Sequence, residues 1–125
     1  LTTAYRVRER GGDRDLVAHQ LRRRYGADPK IRAGFRELYQ VVVDRNHTHL
    51  AATVGMEETE SGPVWVRQYA PGKSLRDTLR EMRLARRRPD PRQALDHLDR
   101  VAAALQPLHD FGVCHLAVRP SEVFV

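Results

Sequence analysis

Cysteine, lysine and aromatic residues are scarce in this sequence, and no apolar run is long enough to span a membrane. The lone Cys114 excludes an intramolecular disulfide, as is typical of a chain from a reducing cytoplasm. No cluster of cysteine, histidine and carboxylate has metal-ligand spacing, so the sequence predicts no metal site. The chain begins at Leu1 without a signal-peptide pattern, and a start without methionine is typical of a fragment or a processed chain.

Positive charge is abundant and is almost entirely arginine. The formal net charge is +6, and lysine occurs only at Lys30 and Lys73. A basic balance permits binding to nucleic acid or to an acidic surface. However, the arginines are spread over every predicted element, and the runs at residues 22–24 and 86–88 have no interleaved aromatic residues for base stacking. The pattern favours solvated surface, and a basic nucleic-acid module remains the third alternative, with strong salt dependence as its mark.

Hydrophobic periodicity predicts an α+β chain. Alternation at residues 3–8 and 15–21 around Gly11-Gly12 predicts a hairpin, and two further strands are predicted at 51–57 and 63–69. Aspartate–proline pairs at 28–29 and 90–91 predict helix starts, with ends near residues 44 and 109. A third helix is predicted to begin at the Ser74 cap, and a short apolar strand at 123–125 follows a turn centred on Pro120.

The C-terminal stretch LHDFGVCHLAVRPSEVFV resembles the approach to the catalytic loop of a protein kinase, LHxxGIxHRDLKPxN. In this resemblance His115 matches the motif histidine, but Ala117 stands at the position of the catalytic-base aspartate. Arg119 stands at the lysine position and Glu122 at the position of the metal-binding asparagine. The frame of the loop is present, while the residues that perform its chemistry are replaced.

The resemblance extends through the N-terminal part of the chain. The segment VAHQ resembles the strand motif V-A-x-K and puts Gln20 at the phosphate-pairing lysine, and FREL puts Glu37 at the helix glutamate that pairs with it. The segment VWVRQYAPGKSL resembles the last N-lobe strand and the hinge of bacterial Ser/Thr kinases. Arg67 then falls at the gatekeeper position. Because a buried unpaired guanidinium is costly, we expect Arg67 to pair with Glu37.

The fold implied by the resemblance is protein-kinase-like: a truncated antiparallel N-lobe sheet with its helix, joined by a hinge to the first C-lobe helices. The implied boundaries are 1–69 for the N-lobe, 70–74 for the hinge and 75–125 for the start of the C-lobe. The adenine pocket would use the carbonyl of Gln68 and the amide of Ala70, with Ala18 above, Phe124 below and Gln20 nearby. The apolar stripe of the last helix would lose part of its usual cover and favour association.

The replaced residues predict a catalytically inactive, pseudokinase-like domain. Its function would be protein interaction, with either a partner protein or the remainder of a larger chain, and ATP is the cofactor to test, bound weakly if at all. The first alternative is part of an active Ser/Thr kinase, which transfers phosphate by positioning and charge stabilisation.

Overall fold

A computed structural model describes all residues, Leu1–Val125. The elements are four strands and four helices: β1 Thr2–Arg8, β2 Asp15–Leu21, α1 Arg23–Gly26, α2 Pro29–Val42, β3 Thr53–Thr59, β4 Gly62–Gln68, α3 Leu75–Leu84 and α4 Pro91–His109. The chain forms two compact units, Leu1–Tyr69 and Ala70–Val125. The N-terminal unit holds the sheet with α1 and α2, and the C-terminal unit holds α3 and α4.

One antiparallel sheet of four strands, in the order β1-β2-β4-β3, forms the N-terminal unit. β2 and β4 are central and pair from Leu16 opposite Gln68 to Gln20 opposite Val64. Helix α2 begins where Asp28 caps the amide of Lys30 at 2.8 Å, with Pro29 in the first turn. Phe35 packs edge-to-face on Trp65 of β4, with ring centroids 5.8 Å apart, so an aromatic contact joins the helix to the sheet.

The C-terminal unit begins with a segment that pairs with the end of the chain. Lys73 and Val125 exchange two backbone hydrogen bonds, from the amide of Lys73 at 3.3 Å and from the amide of Val125 at 3.0 Å. The amide of Leu75 also donates to the Val123 carbonyl at 2.7 Å, so residues 123–125 form a bridge rather than a full strand. Ser74 caps α3, as its sequence predicts, by accepting from the amide of Asp77.

Helix α4 presents an apolar stripe of which only part is covered. Ala104 and Leu108 are buried, whereas Leu95 and Leu98 are 67% and 65% exposed. This matches the expectation that the stripe would lose part of its cover. No helix in the chain combines the length and the hydropathy that a membrane crossing requires.

Candidate functional site

Two of the predicted pocket residues share one face of the sheet. Ala18 and Gln20 are two positions apart on β2, and residues two apart in a strand point to the same side. Ala18 lies opposite Val66 of β4, and Gln20 lies opposite Val64. His19, one position away, lies opposite Trp65, the residue on which α2 packs. Ala18 and Gln20 therefore lie on the face of the sheet turned away from α2.

Arg67 lies on the other face. It is opposite Val17 in the pairing of β2 with β4, and residues opposite one another in an antiparallel pair point to the same side. Its guanidinium Nη2 donates to the carbonyl of Ala51 at 3.1 Å, and its Cζ lies 5.7 Å from the centroid of the Trp65 ring. Arg67, predicted to stand at the gatekeeper position, thus faces the side of the sheet that α2 covers.

Glu37 is an exposed residue of α2. The hydrogen bond of Arg67 to Ala51 gives that guanidinium a backbone acceptor close to its own strand. The ion pair of Arg67 with Glu37 stays a prediction, and a double-mutant cycle that tests it is given in the Discussion.

The segment after β4 leaves a backbone donor available. The amide of Gln68 donates to the Ala52 carbonyl at 2.8 Å and is occupied within the N-terminal unit. The amide of Ala70, the first residue of the C-terminal unit, donates to no group of the chain, and Ala70 is only half-buried. Backbone donors that are neither deeply buried nor bonded are open to water or to a ligand.

Phe124 is held by its backbone rather than by burial of its ring. It bridges Ser74 in antiparallel fashion, between the flanking hydrogen bonds of Val123 and Val125. Its side chain is 47% exposed. Gly72 lies beside this bridge with a φ of +109°, a conformation that favours glycine.

The catalytic-loop-like residues lie in an irregular, exposed segment between α4 and the C-terminal bridge. The Nδ1 of His115 accepts from the amide of Ala117 at 3.4 Å, so the imidazole bonds to local backbone. Between them Leu116 has a φ of +58° and is 93% exposed. A leucine in the left-handed region is strained, and such strain collects at functional loops.

The rest of this segment is a turn tied to α3. The amide of Glu122 donates to the Arg119 carbonyl at 2.9 Å, and the amide of Arg76 donates to the Pro120 carbonyl at 3.0 Å. The side chains of Arg119 and Glu122 are both exposed. Ala117 presents only a methyl group, so its position carries no side chain able to take a proton.

The structure also contains an apolar groove in the C-terminal unit that the sequence analysis did not identify. The sequence analysis recognised the apolar stripe of α4, but it did not combine that stripe with α3 and the residues after Val118. The signal was the spacing of Leu75, Leu79 and Met82, which puts three apolar side chains on one face of α3.

Known proteins similar in sequence to this chain are kinases, although no known protein-family profile matches it. The Ser/Thr-protein kinase PknB of Mycolicibacterium smegmatis is 29% identical over 117 residues, which is 90% of this chain and 18% of that protein. PknB of Mycobacterium leprae is 28% identical over 116 residues, with the same coverage. The chain therefore spans less than a fifth of the length of these curated relatives.

Solved structures show the same fold. A crystal structure of the Mycobacterium tuberculosis PknI kinase domain superposes with a TM-score of 0.80 at 20% identity, covering 94% of this chain and 46% of that one. A structure of Rad53 in complex with AMP-PNP gives a TM-score of 0.80 at 18% identity and covers 99% of this chain and 31% of that one. This chain therefore has a protein-kinase-like fold over about half the length of the PknI kinase domain, and its sequence relatives are bacterial Ser/Thr protein kinases.

Proposed function

We propose that the chain is a catalytically inactive, protein-kinase-like module of the cytoplasm that acts through protein interaction and binds an adenine nucleotide weakly. The kinase-like fold supports the class of the module. The replaced side chains in the segment after α4 and on β2 support its inactivity.

The observation that carries the proposal is Ala117 at the position of the catalytic base. Phosphoryl transfer in kinases needs an acceptor for the substrate hydroxyl proton, a lysine on the phosphates and carboxylate or amide ligands for metal ions. A methyl group accepts no proton, and loss of a positioned base alone typically costs about 10²- to 10⁴-fold in rate. Gln20 at the lysine position is neutral and cannot pair with the phosphates as a cation.

Residual nucleotide binding depends on groups that these replacements leave in place. Adenine recognition at the hinge would use backbone groups, and the amide of Ala70 has no partner within the chain. Ala18 is a small side chain on the sheet face turned away from α2, and Phe124 offers an exposed aromatic ring. Apolar contact with few polar groups is the usual chemistry of a small-molecule site.

The test is a thermal-shift titration of the purified chain with ATP, with and without magnesium. Ligand at about a hundred times its Kd adds roughly 2.7 kcal/mol of stability, which corresponds to several degrees for a small domain. We expect a shift that does not require magnesium. A shift that appears only with magnesium would indicate metal-assisted phosphate binding. It would contradict the proposal that the chain is catalytically inactive.

A matched pair of variants at Ala70 locates the nucleotide. Ala70→Pro removes the backbone N–H, whereas Ala70→Gly keeps it. We expect the ATP shift to be lost in the proline variant and kept in the glycine variant, with circular dichroism showing that both are folded. Equal shifts in the two variants would exclude the Ala70 amide as the adenine donor.

The second candidate is an active Ser/Thr kinase, and the observation that favours it is the printed identity of its relatives as Ser/Thr-protein kinases. Transfer of labelled γ-phosphate from ATP to a general acceptor protein is the direct measurement. Transfer that exceeds the uncatalysed background and is lost in Glu122→Gln would establish activity, with Glu122 in place of the missing metal ligand. We expect no transfer.

A further inference from the structure

Two basic side chains lie on one half-buried face of the sheet, in its two central strands. His19 of β2 lies opposite Trp65 of β4, and Arg67 lies two residues further along β4. Residues opposite one another in an antiparallel pair point to the same side, and diagonal neighbours are about 7–8 Å apart, within reach of long side chains. His19 and Arg67 are both half-buried. An arginine and a titratable histidine are therefore neighbours within the N-terminal unit.

The guanidinium of Arg67 is a permanent charge whose place is determined by its contacts. Its Nη2 donates to the Ala51 carbonyl at 3.1 Å, and its Cζ lies 5.7 Å from the centroid of the Trp65 ring. The bond to Ala51 uses one of the five donors of the group. Because a carbonyl is neutral, this bond leaves the positive charge of Arg67 in place.

The charge of His19 depends on what lies beside it, since histidine has an ordinary pKa of about 6.5. Its protonated form puts a second positive charge next to Arg67. Two like charges disfavour each other, whereas an anion between them favours the protonated form. Proton uptake by His19 and anion binding at the pair are therefore linked, and each strengthens the other by the same factor.

The other ionisable groups that share this face or belong to α2 carry both signs of charge. They are Arg6 and Arg8 of β1, Asp15 of β2, Glu58 of β3, and Arg36, Glu37 and Tyr39 of α2. Arg6 binds Asp15, and Arg36 binds Glu58 at 2.6 Å. Glu37 is exposed, and its predicted pairing with Arg67 would compete with any other anion. With His19 protonated, positive charges outnumber negative ones in this group.

We propose that His19 and Arg67 together bind a phosphate group, and that His19 takes up a proton as the phosphate binds. A phosphate group carries close to two negative charges at neutral pH and offers three strong acceptor oxygens. Hydrogen bonds from charged donors to such oxygens are shorter and stronger than neutral ones. A carboxylate would bring one negative charge to two cations, so a phosphate suits the pair better.

This inference rests on the proposed nucleotide binding for the source of the phosphate, and it names the β2 residue that meets it. Gln20, predicted to stand at the phosphate-pairing position, lies on the other face of the sheet together with Ala18. If the phosphates bind on the face of Arg67, Val17 and His19 take the places predicted for Ala18 and Gln20. Gln20 is then a matched control, one residue away and on the opposite side.

The probes are adenosine, ADP and inorganic pyrophosphate, each titrated calorimetrically into the purified chain from about pH 6 to about pH 8, on both sides of the ordinary histidine pKa. Adenosine carries the base without phosphate, and pyrophosphate carries phosphate without the base, so the two parts of the ligand are measured separately. Repeating each titration in buffers of different ionisation enthalpy gives the protons taken up. A phosphate group also titrates near pH 6, and His19→Gln measures that contribution alone.

We expect ADP and pyrophosphate to bind more tightly as the pH falls, relative to His19→Gln, by up to about tenfold per pH unit for one linked proton. His19→Gln should weaken binding at the acid end only, whereas Arg67→Met should weaken it throughout, because a guanidinium stays charged. His19→Lys should restore tight binding at the alkaline end, and Gln20→Lys should not. Circular dichroism establishes that each variant is folded.

Several outcomes would overturn the proposal: equal effects of lysine at positions 19 and 20, a pH dependence that is the same in His19→Gln, or Arg67→Met without effect on pyrophosphate. Adenosine that binds while pyrophosphate does not, with no pH-dependent gain for ADP, would exclude the pair and leave the proposed nucleotide binding intact. Pyrophosphate that binds with the expected His19 dependence while adenosine does not would support the pair. That result would refute the adenine site and assign the pair to a phosphate from another source.

Discussion

Gly72 is the position at which a single methyl group should separate the two ends of the C-terminal unit. A Cβ built on Gly72 would lie 2.7 Å from the carbonyl oxygen of Val125, closer than real Cβ atoms approach, and the neighbour is backbone that cannot rotate away. The φ of +109° adds strain for any residue with a side chain. Gly72→Ala must therefore push residues 123–125 away from the segment they pair with.

The magnitude follows from what is lost. An alanine in a left-handed conformation costs about 1–2 kcal/mol, and each backbone hydrogen bond between Lys73 and Val125 contributes about 0.5–1.5 kcal/mol. The total loss is about 2–5 kcal/mol. Gly112 is the matched control, because its φ is +72° but a Cβ there meets nothing within 4 Å. Gly112→Ala should cost only the strain, about 1–2 kcal/mol.

Thermal unfolding followed by circular dichroism gives the comparison, since 1 kcal/mol shifts the Tm of a small domain by roughly 4–8 °C. Hydrogen exchange at the amides of Lys73 and Val125 reports the lost pairing directly. We expect the Gly72 variant to lose protection at both amides, and we expect its Tm to fall further than that of the Gly112 variant by the equivalent of about 1–3 kcal/mol, the contribution of the two lost hydrogen bonds. If the two alanine variants lose the same Tm, and the amides of Lys73 and Val125 stay protected in the Gly72 variant, the steric argument is refuted. The backbone strain of a positive φ would then account for the whole loss of stability.

Three further predictions concern the N-terminal unit. Phe35→Ala should destabilise the unit by about 3–5 kcal/mol and change the tryptophan fluorescence, because Phe35 is buried against the only tryptophan. The hydrogen bond from Arg36 lowers the pKa of the Glu58 carboxyl below its ordinary value of 4.5. Its stabilisation is therefore complete above that pH and is lost as the pH falls through the lower folded-state pKa, so Arg36→Gln should flatten the acid limb of the stability profile. If Arg67 pairs with Glu37, the double-mutant cycle of Arg67→Met and Glu37→Gln should give a coupling energy of about 0.5 kcal/mol or more.

Each of these predictions has its own control. Leu38→Ala changes a 43% exposed residue of the same helix as Phe35 and should cost less than about 1 kcal/mol; an equal loss would contradict the packing argument. The acid limb should keep its slope if Arg36 is replaced by lysine, and an unchanged slope in the glutamine variant would show that Glu58 is not linked to stability. Strict additivity of the Arg67 and Glu37 variants would exclude their pairing.

Local signals predicted most of the elements. The hairpin of β1 and β2 was predicted within one residue, because strict alternation and a glycine pair leave few other structures. Both long helices begin at their aspartate–proline pairs. Helix α1 was not predicted, since it has only four residues and the arginine before it, Arg22, makes no side-chain cap hydrogen bond. Short helices of this kind are determined by tertiary context rather than by a pattern of their own.

The candidate site was predictable only where motif spacing determines a position. The assignment of residues to kinase positions by order and spacing stays a prediction, and the strand pairing puts Ala18 and Gln20 on one face of the sheet. Motif spacing could not predict contacts between residues far apart in sequence. These are the hydrogen bond of Arg67 to Ala51, the approach of Gly72 to Val125 and the groove of the C-terminal unit. Each depends on tertiary packing, which no local pattern encodes.

The pairing of Lys73 with Val125 holds the beginning of the C-terminal unit, three residues after Ala70, beside Val125. A segment whose ends meet can be transplanted into a surface loop of another protein without stretching either chain. The unit Ala70–Val125 is therefore suited to grafting as a cassette. Such a chimaera would present α3 and α4 on a host of known stability, where their exposed surface can be varied separately from the sheet.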